Sequence, residues 1–135
     1  MEKVEYIGCF FDPQEMKKHV NGIERTALYR TISSPHVTFV YNPSSIPKEM
    51  LGQEVTVQAE GYGNDGENEA LQVSFLKLPA GLEALAAGIP VPHITLSVSR
   101  QGKPVNSRYL TFKPIAPFAL TGIFGAMDED GVLHT

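Results

Sequence analysis

Two histidines in this sequence stand in the same local pattern. Residues 36–39 read His-Val-Thr-Phe and residues 93–96 read His-Ile-Thr-Leu, with a proline before each histidine. The two histidines are 57 positions apart (93 − 36). Both tetrapeptides have the composition of a strand, and residues i and i+2 of a strand point to the same face. Each pattern therefore places an imidazole and a hydroxyl together and turns its two apolar residues toward a core.

The four polar side chains of these patterns predict acid–base chemistry on a phosphodiester. If the two strands lie side by side, His36, Thr38, His93 and Thr95 face one another across a cleft. A neutral imidazole can take a proton from an attacking hydroxyl or water, and a protonated one can donate to the leaving oxygen. The threonine hydroxyls can bind non-bridging phosphate oxygens. Because the ordinary histidine pKa is about 6.5, both protonation states coexist near neutral pH, so the chemistry needs no metal or other cofactor.

Three further residues are predicted to bind substrate. A base could stack on an aromatic residue, and the first candidates are Tyr41, at the end of the first-motif strand, and Tyr62, in a glycine-rich connector. The other available aromatics are expected mostly in the core: Tyr6, Phe10, Tyr109 and Phe124. Arg30, six residues before the first histidine, could bind phosphate, although a solvated surface role is also open. A basic group after the second motif either attracts an anionic substrate or makes a hairpin soluble: Arg100, Lys103 and Arg108.

The remaining histidines and the single cysteine are predicted to be structural. His19 falls near the end of a predicted helix, where a cation complements the helix dipole. His134, one residue from the C-terminus, is expected to be mobile. Cys9 lies in an apolar run, which indicates a buried thiol. No metal site is predicted, because carboxylate or cysteine partners at ligand spacing are missing around the two motifs.

Length and composition limit the function classes. A chain of 135 residues with 42% hydrophobic residues is predicted to form one domain, spanning 1–135. Its net charge of −4 argues against broad binding to long duplex nucleic acid. No apolar run approaches 18 residues, so no transmembrane helix and no membrane partner are expected. The charged opening residues do not resemble a signal peptide. These features predict a soluble cytoplasmic protein and leave its oligomeric state open.

The elements that must position the two motifs are mostly strands. Helices are predicted over 12–20 and 82–87, with a helical turn at 47–51 and a flexible connector at 61–66. Strands are predicted over 4–11, 27–32, 36–41, 53–60, 70–78, 93–99, 109–113, 118–126 and 132–134. Two short helices among eight or nine strands indicate an α+β fold with largely antiparallel sheets.

The two tetrapeptides resemble the paired His-x-Thr/Ser-hydrophobic motifs that define the 2H phosphoesterase superfamily. The order of elements is also similar: an opening strand, a helix, the first motif, a hairpin, a second helix and the second motif. The resemblance implies two pseudo-symmetric lobes of antiparallel strands, with short outer helices and a central active-site groove.

The same resemblance implies an activity. Members cleave 2′,3′-cyclic phosphates at RNA ends, ligate or hydrolyse 2′,5′-linked RNA, or open cyclic nucleotides. Phage anti-CBASS nucleases of this superfamily hydrolyse 3′,5′ bonds in cyclic oligonucleotide messengers. This short chain is most similar in character to the small cyclic phosphodiesterases and the phage nucleases. A metal-independent phosphodiesterase acting on a cyclic nucleotide or a short RNA end is therefore expected.

Two other classes of function stay open on the sequence. The same groove could bind or sequester a cyclic nucleotide without cleaving it, or the chain could be a β-rich interaction domain without a ligand. The motifs do not decide the exact substrate, whether water or a 2′-hydroxyl attacks, or which histidine is the acid.

Overall fold

The computed structural model describes residues 3–135, and these form two short α-helices and eight strands. Three short segments of 3-10 helix connect them: Lys48–Met50, Ala80–Leu82 and Pro104–Tyr109. In chain order the elements are β1 (Val4–Phe10), α1 (Pro13–Val20), β2 (Arg30–Thr31), β3 (His36–Tyr41), β4 (Glu54–Asn64), β5 (Asn68–Lys77), α2 (Glu83–Ala87), β6 (His93–Val98), β7 (Lys113–Asp128) and β8 (Leu133–His134). The predicted α+β class is confirmed.

All strand pairs are antiparallel and belong to one sheet, in the order β2-β6-β5-β4-β7-β1-β3, with β8 added beside β7. The sheet curls strongly, and this curl brings residues of β3 and β6 within 8 Å of one another (Cα to Cα). No backbone pairing joins these two strands. The short β2 pairs only with the end of β6, at Ser97 and Val98. The two motif strands therefore border an unpaired seam.

Alternation of apolar and polar residues explains how the motif strands are held. Val37 and Phe39 of β3, and Ile94 and Leu96 of β6, are all less than a tenth exposed and belong to one core cluster. Because neighbouring residues of a strand point to opposite faces, burying these four side chains directs the motif histidines and threonines away from that core. The predicted direction of the apolar residues is confirmed.

The first helix begins where its sequence predicts. Oδ1 of Asp12 accepts hydrogen bonds from the backbone N–H groups of Gln14 (2.7 Å) and Glu15 (3.2 Å), and Pro13 occupies the first helical position. These are the groups that a helix start leaves without a partner. Met16 and Val20 are buried, so one face of α1 packs on the core.

Several boundaries differ from the prediction: β2 spans only Arg30–Thr31 of the predicted 27–32, and β7 begins at Lys113 instead of 118. The predicted connector at 61–66 is mostly strand, since β4 continues to Asn64 and the turn is confined to the residues before β5. At Gly61 and Gly63 a Cβ atom would collide with neighbours that include the side chain of Phe112, so glycine lets the strand continue beneath that residue. The strand predicted over 109–113 is wrong, because residues to 109 form a 3-10 turn and β7 begins at Lys113.

The C-terminal strand corrects the expectation that His134 is mobile. His134 pairs with Ala126 of β7, and its Nε2 lies 2.8 Å from Oδ2 of Asp128, whose side chain is almost fully buried. Cys9, in contrast, is fully buried as predicted, and burial raises the pKa of its thiol to about 12. No helix within residues 3–135 has the length and apolar character needed to cross a bilayer.

A buried carboxylate holds the segment after α1 against the sheet. Glu69 of β5 is fully buried and accepts hydrogen bonds from Arg25 Nε (2.8 Å), the Tyr62 hydroxyl (2.7 Å) and the Ser97 hydroxyl (2.6 Å). Burial acts to raise the pKa of Glu69, but the hydrogen bonds from its three partners outweigh burial and the pKa is lowered. The charged form of Glu69 is therefore the one that the fold stabilises.

Replacing Glu69 by glutamine should lower the free energy of unfolding by about 3 kcal/mol, because it leaves the partly buried Arg25 without its anion. The matched control is Glu15→Gln, which removes the exposed ion pair with Lys18 and should change stability by less than about 1 kcal/mol. Urea unfolding followed by circular dichroism measures both values. Equal effects of the two substitutions would contradict this role of Glu69.

Candidate active site

The unpaired seam between β3 and β6 brings the two motifs together. His36 is the first residue of β3 and His93 is the first residue of β6. Both imidazoles are half-buried, residues of their two strands lie within 8 Å of one another (Cα to Cα), and the charge of His93 lowers the pKa of His36. Two side chains that are distant in the sequence thus share one site.

The two rings are held in the same way. Nδ1 of His36 lies 2.8 Å from the carbonyl oxygen of Ser34, and Nδ1 of His93 lies 2.8 Å from the carbonyl oxygen of Val91. A carbonyl can only accept, so in each neutral ring Nδ1 carries the proton and Nε2 is the acceptor nitrogen. Each carbonyl belongs to the residue two positions before its histidine. The repeated sequence pattern therefore produces a repeated ring orientation.

Two adjoining cavities form what we call the two-histidine groove. One, of about 130 Å³, is lined by Thr38, His93 and Arg108. The other, of about 460 Å³, is lined by His36, Tyr6 and Glu5. Tyr41 and Val105 line both cavities, so they mark the place where the two meet.

Burial disfavours the charged form of both histidines. It is the main cause that lowers the pKa of His36 below 6.5, opposed by the Ser34 carbonyl and assisted by the charge of His93. Burial also lowers the pKa of His93, opposed by the carbonyls of Val91 and Pro104 and assisted by Arg108. A neutral imidazole with a free Nε2 can accept a proton, and a low pKa makes a protonated imidazole a strong donor.

Aromatic side chains from β1 enclose the first histidine. The ring of Tyr6 stacks on His36 at 4.8 Å between centroids, and Phe10 lies at 5.3 Å. Both positions follow from the antiparallel register, which pairs Phe10 with His36 and Tyr6 with Tyr41. Gly8 lies between them, and a Cβ atom there would collide with the Val37 carbonyl, so glycine allows β1 to approach β3.

The structure separates the predicted site residues into two sets. Thr38 and Tyr41 line the groove with the histidines. Thr95 is 6% exposed, and its hydroxyl is bonded to the Pro104–Tyr109 turn. It also borders a separate cavity of about 450 Å³ beside α1, whose lining includes neither His36 nor His93.

Tyr62 and Arg30 are not brought to the groove. The hydroxyl of Tyr62 is bonded to the buried Glu69. Arg30 is exposed on β2 and pairs with Val98, at the end of β6 opposite to His93. Neither residue lines a cavity that contains a motif histidine.

Several groove residues escaped sequence reasoning. Tyr6 and Phe10 were visible as aromatics, but only the register between β1 and β3 assigns them to His36. Val105 carries no chemical signal, and Arg108 stood out only as one member of a basic group. The sequence offers one hint. Tyr6, Gly8 and Phe10 share one face of the first strand, and the glycine between the two aromatic rings indicates that another strand could approach closely there.

The remaining histidines lie elsewhere. His19 stacks on Phe118 at 4.7 Å between nearly parallel rings, and His134 is bonded to Asp128. Among residues 3–135, no group of three or more histidine, cysteine, aspartate or glutamate side chains is arranged to hold a metal ion. Comparison with known proteins gives no further guide to the site, since neither the family models searched nor the curated proteins contain a match to the chain.

The coupling between the two rings can be measured directly. We expect imidazole NMR titrations to give pKa values below 6.5 for both His36 and His93. In His93→Gln the pKa of His36 should rise, because a positive charge nearby is removed. The control is His19→Gln, which removes a ring stacked on Phe118 outside the groove and should leave the His36 titration unchanged. An unaltered His36 pKa in His93→Gln would mean that the two rings do not share a site.

Proposed function

We propose that this protein is a metal-independent phosphodiesterase that opens cyclic nucleotide phosphodiesters by two-histidine acid–base catalysis. Its substrates would be 3′,5′-cyclic oligonucleotide messengers or 2′,3′-cyclic phosphate ends of RNA. The observation that carries the proposal is the pair of motif histidines on the walls of one groove, each with Nδ1 bonded to a backbone carbonyl. The resemblance of both motifs to the 2H phosphoesterase pattern supports the same activity.

The proposed reaction uses one proton on the histidine pair. The neutral imidazole takes a proton from the attacking water or ribose hydroxyl through Nε2 as its oxygen bonds to phosphorus. The bond from phosphorus to the leaving ribose oxygen breaks, and the protonated imidazole donates its Nε2 proton to that oxygen. One proton has entered the pair and one has left, so its charge is restored. Because the two rings interact, their titration belongs to the pair rather than to either residue alone.

The aromatic wall supplies a place for a nucleobase. Tyr41 is 45% exposed and lines both parts of the groove, next to the Tyr6 ring at 5.7 Å. Stacking on such a ring stabilises a bound base by about 1–3 kcal/mol. A cavity of this size suits a small nucleotide rather than a duplex, and a nucleotide substrate together with a buried free thiol fits a cytoplasmic protein.

Substitution of either motif histidine should abolish the reaction. The assay incubates 2′,3′-cyclic nucleotides and 3′,5′-cyclic di- and trinucleotides with the protein in excess EDTA, and mass spectrometry identifies the products. We expect cleavage of at least one substrate and a loss of at least about 100-fold in kcat/KM in His36→Ala and in His93→Ala. His19→Ala is the matched control, since His19 lies outside the groove, and should retain activity.

Cleavage that survives both groove substitutions would overturn the proposal. Binding of a cyclic nucleotide with no product after long incubation would instead favour the sequestering function. The products also separate the two possible nucleophiles, because attack by a 2′-hydroxyl forms a cyclic phosphate before any hydrolysis.

The activity should have its optimum on the acidic side of pH 6.5. The productive pair carries one proton, and this state is most populated between the two pKa values of the pair, both of which burial lowers below 6.5. As pH rises the acid loses its proton, and as pH falls the base gains one. A profile of kcat/KM against pH, which reports the free enzyme, measures this. An optimum well above pH 7 would be inconsistent with both rings acting as described.

A further inference from the structure

The Pro104–Tyr109 turn covers the second half of the groove. Val105 of this turn lines the cavities of both histidines, and Arg108 lines the cavity that contains His93 and Thr38. The Pro104 carbonyl also raises the pKa of His93, which places that oxygen close to the ring. The turn therefore contributes directly to the walls of the site, although it belongs to neither motif strand.

Thr95 holds this turn in place. Its Oγ1 donates to the carbonyl of Pro104 at 3.2 Å and lies 2.8 Å from Oγ of Ser107. Nδ2 of Asn68 donates to the same Ser107 oxygen at 2.9 Å and to the Lys103 carbonyl at 2.6 Å. Asn68, Thr95 and Ser107 are all buried.

The direction of these hydrogen bonds decides what Thr95 can do. A hydroxyl carries one proton, so when Thr95 donates to Pro104, the Ser107 hydroxyl must donate to Thr95 and Asn68 must donate to Ser107. The Thr95 proton is thus used inside the fold. Thr38 differs, because its side chain lines the groove and no hydrogen bond joins its hydroxyl to any residue within 3–135. The two motif threonines have the same sequence context, but only the Thr38 hydroxyl is available to bind a ligand.

Arg108 is placed to provide the hydrogen-bond donors to phosphate that Thr95 does not provide. Among the residues that line the cavity of His93 and Thr38, it is the one with a charged side chain. Its guanidinium lies 4.8 Å from the centre of the Tyr109 ring, and Nη2 donates to the Tyr109 hydroxyl at 2.7 Å. A guanidinium has five N–H donors, so most stay free for a ligand. A planar cation of this kind matches the geometry of two phosphate oxygens.

We propose that Arg108, together with Thr38, binds the non-bridging oxygens of the reacting phosphodiester, and that Thr95 is a positioning residue that fastens the turn carrying Arg108. This inference rests on the proposed function. The guanidinium would neutralise the phosphodiester anion on binding and stabilise the charge that grows on its oxygens as the nucleophile attacks. The second motif would then act through His93 directly and through Thr95 only by way of the turn.

The role of Arg108 is tested by Arg108→Gln and Arg108→Lys. Loss of one donor to the developing charge costs about 10²–10³-fold in rate, so we expect a loss of that size in kcat/KM for the glutamine variant and partial recovery for lysine. The matched control is Arg100→Gln, because the Arg100 guanidinium lies 4.4 Å from the centre of the Tyr29 ring and Arg100 does not line the groove. That variant should keep its activity.

A pH profile separates binding from a structural effect. The charge of Arg108 lowers the pKa of His93, so the profile of kcat/KM should move to higher pH in Arg108→Gln and stay in place in Arg108→Lys, which keeps the charge. A packing defect that exposes His93 to water would instead move the profile in both variants, because burial also lowers this pKa. The other groups that act on His93, the Val91 and Pro104 carbonyls, are the same in both proteins. Full activity with an unshifted profile in Arg108→Gln, while His36→Ala is inactive, would overturn the inference and leave the proposed function standing.

The role of Thr95 is tested by its interaction with Ser107. Thr95→Val and Ser107→Ala should each lower activity and stability, and the double variant should lose little more than the worse single variant, because both break the same attachment. Thr38→Val should lower activity without lowering stability. Full additivity of the Thr95 and Ser107 effects would show that Thr95 acts on the substrate itself.

A binding measurement tests whether Arg108 binds the phosphate anion even if the substrate assay shows no turnover. Inorganic phosphate is titrated into the wild type and the Arg108→Gln variant, and the imidazole signals of His36 and His93 are followed by NMR. We expect shifts of the His93 signals that saturate in the wild type and need at least about ten times more phosphate in the variant. Equal titrations in the two proteins would overturn the assignment of Arg108 as the anion-binding residue.

Discussion

The site depends on a seam where the curled sheet fails to close. β6 is hydrogen-bonded to β5 along its length but to β2 only near its end, and β3 is the last strand on the opposite side of the sheet. The curl brings these two edges within 8 Å (Cα to Cα) without backbone pairing. A paired seam would fill the space with N–H···O bonds. An open one leaves room for a ligand between two walls, and each wall begins with a histidine.

Backbone carbonyls and burial give both imidazole rings the same tautomer and the same preference for the neutral form. The Ser34 and Val91 carbonyls fix Nδ1 as the protonated nitrogen, and desolvation disfavours the charged form of each ring. A protein with a net charge of −4 nevertheless places a guanidinium in the same cavity as His93. The charge inside the His93 cavity therefore differs in sign from the charge of the whole chain, whereas Glu5 lines the adjoining His36 cavity.

The two motifs are equivalent in sequence and unequal in their surroundings. β3 lies beside β1, whose Tyr6 and Phe10 enclose His36 with aromatic rings. β6 lies beside the Pro104–Tyr109 turn, which takes the hydroxyl of Thr95 and presents Arg108. One wall of the groove thus carries aromatic rings on which a base could stack, and the other carries the guanidinium of Arg108. A repeated pattern can produce such a difference because each copy meets different neighbours in the fold.

The sequence by itself determined the local features. Strand composition and two-residue alternation predict β3 and β6 with Val37 and Ile94 turned inward, and the Asp12-Pro13 pair predicts the start of α1, since these properties depend on neighbours along the chain. The tertiary structure alone decided which residues share the groove. The chemistry of Tyr62 and Arg30 predicts that they bind substrate. In the structure the buried Glu69 binds the Tyr62 hydroxyl, and β2 places Arg30 at the far end of β6. Register, curl and hydrogen-bond partners involve residues dozens of positions apart, and no local pattern encodes those distances.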